Sequence, residues 1–330
     1  MKAAFIEQTG DPDVIQFGDL PKPEPQAGQV LIRGEAVSVN PVDTYVRSGA
    51  IAMELPKPFI IGCDLAGTVE AIGDGVTGLR PGDRVWTTNQ GLLGRQGTFA
   101  EYSAVDKTWV YPIPDGIESS VAVACALVGV TAHLGLVRDA RLAVNETVFV
   151  VGGTGGVGSM VVQMAKISGA KVITTAGSDE KCEIAKNLGA DHVIQYRKQS
   201  IEEELKELAP EGVDVFWETR REPDFDLTVA ALAPRGRMIL MAGREARPPF
   251  PVGPFYVKGC SLHGFAMFNA TSDEMRQAAE DINAWFAAEQ LQALIGKIMP
   301  LSQAAEAHRL QEESTLGESG TLIGKIVLEV

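Results

Sequence analysis

Apolar and polar positions follow two different rhythms along this chain. Through the first 120 residues, short apolar runs such as Val30-Leu31-Ile32 and residues 66–72 are cut by turn-forming clusters: Thr9-Gly10-Asp11-Pro12, Gly73-Asp74-Gly75 and Arg80-Pro81-Gly82-Asp83. Short strands separated by Gly and Pro turns predict an antiparallel, barrel-like or sandwich-like unit. Residues 21–25, with three prolines, read as a stiff extended surface segment. From about residue 145 the rhythm changes. Val148-Phe149-Val150-Val151 is a continuous apolar strand of the kind buried on both faces, and a glycine-rich stretch and a helix to about Ser168 follow it. Strands over 171–175, 192–195 and 213–217 then alternate with helices over 179–188 and 201–208, and residues 225–232 and 238–241 repeat the unit. Regular strand–helix alternation predicts a parallel doubly wound sheet.

Beyond Gly264 the pattern turns helical. Thr271-Ser272-Asp273-Glu274 is a capping box, and Met275, Ala279, Ile282 and Phe286 share one helical face. A second helix runs from Ser302 to about Glu313, and the final apolar run, 323–328, has no helix after it. That run is expected to return as a strand to the first domain, making the first domain discontinuous. Residues 121–137 form the longest charge-free apolar run, shorter than the roughly 20 residues a bilayer demands, so a buried helix is expected. The N-terminal MKAAFIEQTG lacks the apolar core of a signal peptide.

Composition narrows the function classes. With 29 Lys and Arg against 43 Asp and Glu, the net charge is −14, so nucleic acid and anionic membrane are not expected partners. Any phosphate must be caught locally, by backbone amides or a few placed cations. Cys63, Cys125, Cys182 and Cys260 stand singly, without metal-ligand spacing, which fits a reducing cytoplasm. Glycine is in excess: 35 of 330 residues, about 11% against a usual ~7%.

Part of that excess sits in Val151-Gly152-Gly153-Thr154-Gly155-Gly156-Val157-Gly158. Gly153, Gly155 and Gly158 give the GxGxxG spacing directly after a buried strand and at a helix start. The first permits a tight turn, the second lets a pyrophosphate approach the backbone, and the third packs the helix against the strand. A NAD site usually ends its second strand with an acid for the ribose 2′-hydroxyl. Here the second strand ends Thr175-Ala176-Gly177-Ser178, with Lys181 close behind and Tyr196-Arg197 closing the third strand. A neutral turn with a lysine predicts NADP, with Asp179 a nearby acid that argues the other way. Candidate cofactor-binding residues are therefore Gly153, Thr154, Gly155, Gly156, Val157, Gly158, Gly177, Ser178, Lys181 and Tyr196.

Further residues carry a family resemblance. Asn40-Pro41-Val42-Asp43-Thr44-Tyr45-Val46-Arg47-Ser48-Gly49, Gly62-Cys63-Asp64-Leu65-Ala66-Gly67, Gly82-Asp83-Arg84-Val85 and Gly129-Val130-Thr131-Ala132 resemble the medium-chain dehydrogenase/reductase superfamily. Within it the chain resembles the zinc-free quinone oxidoreductases related to zeta-crystallin, from these segments to Gly324-Lys325. The resemblance implies an α/β fold with a GroES-like β-rich catalytic domain, residues 1–122 and 290–330. A Rossmann NADP-binding domain, residues 123–289, is expected between them. It also implies a cleft between the domains and a homodimer. Asn40 and Tyr45 would lie near the nicotinamide as catalytic residues. Asn40, Thr131 and Lys325, with Gly243, Arg244, Phe265 and Met267, would help hold the cofactor.

No metal is expected. Zinc-dependent relatives carry Cys at the position of Asn40 and His-Glu at Cys63-Asp64, and they have a four-cysteine lobe near residues 90–110, where this chain has no cysteine. Without a Lewis acid, hydride must go to an acceptor that is already electron-poor, so the expected substrate is a quinone or enone. The alternatives are an enoyl-thioester or alkenal reductase of the same superfamily, or a non-enzymatic NADPH-binding protein. Tyr45 reads as a proton donor or as a packing residue. Arg220 and Arg221, where relatives have a short turn, read as anion ligands or as a solvated loop.

Overall fold

The structure, a computed structural model, describes residues 1–316 and 320–330, and every count of elements is of those residues. The chain separates into two compact units, Met1–Val130 with Ala270–Val330, and Thr131–Asn269. The first unit opens with β1 (Lys2–Ile6), β2 (Gln16–Asp19), β3 (Gln29–Val39) and α1 (Pro41–Ser48). It continues through β4 (Phe59–Ile60), β5 (Asp64–Ile72), β6 (Arg84–Thr87), β7 (Tyr102–Asp106) and β8 (Val110–Pro112) to helix α2 (Ser119–His133). Helix α2 extends as a wider π-type turn over Leu134–Asp139; with that extension it is long and apolar enough to cross a membrane, yet 78% of its apolar window is buried in the protein.

The second unit holds β9 (Thr147–Val150), α3 (Gly156–Ile167), β10 (Lys171–Ala176), α4 (Asp179–Asn187), β11 (His192–Gln195) and α5 (Ile201–Leu208). After them come β12 (Val213–Glu218), α6 (Phe225–Ala231), β13 (Leu232–Leu240), α7 (Val252–Val257) and β14 (Ser261–Gly264). Its strands lie in the order β11-β10-β9-β12-β13-β14, and all are parallel. Counted within the unit this is 3-2-1-4-5-6, the dinucleotide-binding order, whose reversal beside β9 opens a crevice at the carboxyl ends of the strands. Phe149 and Phe216 meet edge-on at 4.9 Å in its core, among Ile173, Ile194 and Met238. Buried strands of this kind need apolar residues on both faces, which is why β9 reads as an unbroken apolar run.

The chain then returns to the first unit as α8 (Ser272–Ala287), β15 (Ile295–Pro300), α9 (Ala304–Thr315) and β16 (Lys325–Glu329). The capping box at Thr271 and Glu274 forms as read from the sequence. Helix α8, which the sequence reading groups with the dinucleotide domain, belongs here instead. Asn283 accepts from the Trp86 indole at 3.1 Å and donates to the Pro112 carbonyl at 2.9 Å. The terminal strand β16 pairs antiparallel with β3, placing Ile326 opposite Val39, and parallel with β15. The main sheet of this unit runs β15-β16-β3-β5-β6-β8, with β7 also on β3.

Candidate functional site

Each unit carries one group of the residues singled out from the sequence. In the first unit, β3 ends at Val39 and α1 starts at Pro41, so Asn40 between them caps the helix. Its backbone N–H donates to Asp43 Oδ2 at 2.8 Å, half of a capping box that holds α1. The Asn40 side chain points inward and is fully buried. Its amide donates to Asp64 Oδ2 at 2.8 Å and to the Ser38 carbonyl at 3.3 Å, while its oxygen accepts from the Lys325 ammonium. Lys325, first residue of β16 and 4% exposed, also donates to the Val39 carbonyl at 2.6 Å. Asp64 accepts in addition from Ser38 Oγ at 2.8 Å and Thr88 Oγ1 at 2.6 Å. Both amide hydrogens of Asn40 and its oxygen are thus engaged by protein.

Two carboxylates, one ammonium and the Cys63 thiol share this dry space. Burial pushes the Asp43 carboxyl up to about 7, with the nearby Asp64 charge adding to the rise. Burial also raises Asp64, which Lys325 and its three donors partly offset, and lowers Lys325. The Cys63 thiol is held far above its ordinary value by burial and by Asp43 and Asp64, so it is no thiolate nucleophile. A cluster of +1 and −2 relaxes by keeping a proton on a carboxyl, and Asp43 is the member with an unpartnered buried oxygen, Oδ1. No group of three or more His, Cys, Asp or Glu side chains among the described residues is arranged to hold a metal ion. Asp43 and Asp64 are missed by motif reading. Asp64 inside the apolar run around Ile61 and Leu65, and Lys325 inside the terminal apolar run, carry the available signal, because a charge in an apolar strand demands a partner. Tyr45 lies two residues past Asp43 on α1, half-buried.

In the second unit the glycine loop joins β9 to α3 at the carboxyl edge of the parallel sheet. Its three motif glycines differ in what a side chain would meet. A Cβ on Gly153 would lie 2.3 Å from Thr174 Oγ1, and one on Gly158 would lie 2.1 Å from the Gly152 carbonyl. Fold packing alone therefore excludes a side chain at both. Gly155 is different: a Cβ there would meet only the Gly152 carbonyl oxygen, at 3.4 Å, an ordinary contact. Its φ of −78° suits any residue. Neither backbone nor packing requires glycine at 155. The N–H groups of the first turn of α3 have no partner within the helix, so the space over Gly155 is open to an anion. The loop is held from behind: Gly152 N–H donates to Thr175 Oγ1 at 2.9 Å, and Thr174 Oγ1 donates to the Val150 carbonyl at 2.7 Å.

Gly177 and Ser178 follow β10, at the same carboxyl edge. Ser178 caps α4, accepting from the Lys181 N–H. A Cβ on Gly177 would lie 2.6 Å from the Tyr196 hydroxyl, so the structure brings Tyr196 onto this turn. Burial lowers the Lys181 ammonium, and the positive charge of Arg197 lowers it further. The Glu180 charge partly offsets both, so the turn has two cations and one acid within electrostatic reach of each other. Asp179 is turned to other work: both its oxygens lie 2.8 Å from the Lys198 ammonium, and Gln195 donates to one of them. Arg220, a third exposed, clasps the fully buried Glu218 carboxylate with two nitrogens, at 2.9 and 2.6 Å, so it is no spare anion ligand, and Arg221 beside it is exposed.

The remaining candidates in this unit are placed as follows. Gly243, with φ +79°, and Arg244 follow β13, and Phe265 and Met267 follow β14. Thr131 is buried in the last turn of α2. Phe265 packs edge-on against Trp217, with the Arg138 guanidinium 5.2 Å from its ring centre.

Comparison with known proteins agrees with both halves. Residues 26–115 match the alcohol dehydrogenase GroES-like domain family and residues 156–284 the zinc-binding dehydrogenase family. The chain is 34% identical over 312 residues to the quinone oxidoreductase of Sus scrofa, covering 93% of each. A solved NAD-dependent alcohol dehydrogenase superposes with a TM-score of 0.90 at 30% identity, covering all of both chains. The Escherichia coli quinone oxidoreductase complexed with NADPH superposes with a TM-score of 0.86 at 25% identity, also over all of both chains.

Proposed function

This chain belongs to the quinone oxidoreductase family of medium-chain dehydrogenases/reductases, and on that footing we propose that it is an NADPH-dependent reductase of quinones or activated alkenes whose chemistry does not pass through zinc. Its relatives include proteins named for either nicotinamide cofactor, so the choice rests on the chain's own residues. The carrying observation is the neutral Gly177-Ser178 turn with Lys181 and Arg197 close enough for their charges to act on each other, and with Asp179, the acid nearest the turn, committed to Lys198. A 2′-phosphate relieves that repulsion; a bare ribose hydroxyl leaves it in place.

Bound NADPH supplies a hydride to an acceptor that is already electron-poor. The chain's part is to bind and orient. The bare loop at Gly155 and the N–H groups opening α3 receive the pyrophosphate. Ser178, Lys181, Arg197 and Tyr196 receive the adenosine side. Thr131, Gly243, Arg244, Phe265 and Met267 are proposed as further cofactor contacts, and Thr154, Gly156 and Val157 line the loop. Asn40 acts by holding Lys325 and Asp64 in place, since its amide is already engaged. Tyr45 is proposed to donate a hydrogen bond to the oxygen on which charge develops.

A steady-state screen tests the proposal, following NADPH and NADH oxidation with a quinone, an enone and an enoyl thioester. Faster turnover with NADPH and a quinone or enone is expected. Better use of NADH, or turnover confined to thioesters, would overturn it. Tyr45→Phe should lower kcat with little change in KM for NADPH, and an unchanged kcat removes Tyr45 from the mechanism.

The same reading includes a homodimer in the cytoplasm. Strand β14 ends the parallel sheet with one edge unpaired among the described residues, and Val252, Tyr256 and Val257 of α7, the helix before it, are 61, 69 and 74% exposed. Edges of this kind pair with a second copy or aggregate. Light scattering should give twice the chain mass, and Tyr256→Glu with Val257→Asp should halve it. Four free cysteines, none paired with another, support a reducing compartment.

A further inference from the structure

The parallel sheet of the second unit has two ends, and the glycine loop uses only the carboxyl one. At the amino end lies an open cleft of about 890 Å³ beside the starts of β9 and β12. Arg138, Arg141, Arg235 and Arg237 line it beside His263, a concentration of guanidinium groups on a chain whose net charge is −14. Three acids also line the cleft, and each already has a partner. Glu146 takes two nitrogens of Arg237, at 2.8 and 2.7 Å, and the Ala143 N–H. Asp139 takes Arg138 in a two-point pair at 2.8 and 2.9 Å. Asp214 Oδ2 accepts from the Thr147 N–H at 2.8 Å.

Arg141 and Arg235 are left over. Both are exposed, and among the described residues neither side chain has a hydrogen bond or ion pair. Both also sit where the backbone is left-handed, with φ +50° and +66°. Glycine and asparagine are the ordinary occupants of that region, and another residue costs about 1–2 kcal/mol. Local conformation therefore opposes arginine at both positions, and both positions open on the same cleft. A guanidinium offers a planar fork that suits the oxygens of a phosphate or carboxylate. Two unpaired forks in a concave wall, beside two acids that are ion-paired and a third, Asp214, held by a backbone N–H, form a receptor for a small anion.

We propose that this cleft binds a small, multiply charged oxyanion, phosphate or carboxylate, through Arg141 and Arg235, as a second ligand site at the end of the sheet opposite the dinucleotide loop. The test uses the full chain saturated with NADP⁺, so that the phosphate positions of the loop are filled. Inorganic pyrophosphate in one arm and citrate in the other are titrated calorimetrically at low ionic strength, which separates the phosphate source from the carboxylate source. One saturable site per chain is expected for at least one of them. Arg141→Asn with Arg235→Gly should weaken it tenfold or more while leaving Tm unchanged or raised, because both replacements suit the backbone. Arg80→Gln with Arg276→Gln removes the same charge from exposed surface and should change the affinity less than twofold. Absence of saturable binding in both arms overturns the proposal. So does undiminished binding by the cleft variant, or an equal loss in the surface variant.

Discussion

Replacing Gly155 by alanine separates what the glycine loop does for the fold from what it does for a ligand. Alanine tolerates the φ of −78° at this position, and its methyl would rest 3.4 Å from the Gly152 carbonyl oxygen. As the N-cap of α3, alanine is inferior to glycine by roughly 0.5 kcal/mol, and restricting the unfolded chain returns about 0.4–1 kcal/mol. Stability should therefore change by less than about 0.5 kcal/mol. The methyl occupies the space through which a pyrophosphate must reach the helix amides. Overpacking of this kind costs about 1–3 kcal/mol, which at 1.4 kcal/mol per decade is about 5- to 150-fold in affinity. The counterpart is Gly158→Ala, whose methyl would stand 2.1 Å from the Gly152 carbonyl oxygen and must push the backbone. Thermal unfolding with cofactor titration reads both. Gly155→Ala should unfold like the parent and bind NADPH at least about fivefold more weakly, whereas Gly158→Ala should lose Tm. If Gly155→Ala binds NADPH as the parent does, the assignment of this glycine to a ligand is wrong.

Lys181→Ala should raise KM for NADPH about tenfold or more, through loss of one charge-assisted contact, while leaving the KM for NADH within about twofold; equal effects on the two would refute the 2′-phosphate reading. Asp43 titrates near 7 in the fold and at 3.8 ordinarily, so folding takes up a proton between those values. The stability it contributes is complete below about pH 4 and is lost as pH rises through 7. Asp43→Asn should accordingly be less sensitive to pH than the parent between pH 5 and 8, and parallel Tm profiles would exclude this. Lys325→Met should destabilise the first unit by about 3–5 kcal/mol, because Asp64 then stays buried without its countercharge; chemical denaturation measures this, and full stability would refute the network.

What the sequence disclosed follows from which signals are local. The strand–helix alternation over residues 145–241 and the spacing of Gly153, Gly155 and Gly158 are local, and the parallel sheet and loop formed where they indicated. The return of the terminal strand was legible because an apolar run with no helix after it demands a sheet. The short strands β14 and β15 and the short helices α1 and α7 left no comparable period. The placement of α8 was also obscure: its apolar face is plain, but which unit that face covers is decided by Asn283 meeting Trp86, 197 residues away. Asn40 shows the limit at the site. Its motif points to function, yet the engagement of its amide by Asp64, Ser38 and Lys325 arises from three different strands.

The bond from Lys325 to Asn40 spans 285 residues. During synthesis, the second unit, Thr131–Asn269, is one continuous stretch and can leave the ribosome complete. The first unit cannot finish until its last strand emerges. Until then Asp64 and Asp43 lack their ammonium and the edge of β3 opposite β16 is bare, so water must hold what protein later holds. The nascent chain therefore passes through a stage with a formed dinucleotide sheet beside an unfinished partner. Variants shortened before Lys325 should be arrested at that stage, able to bind cofactor and unable to turn over.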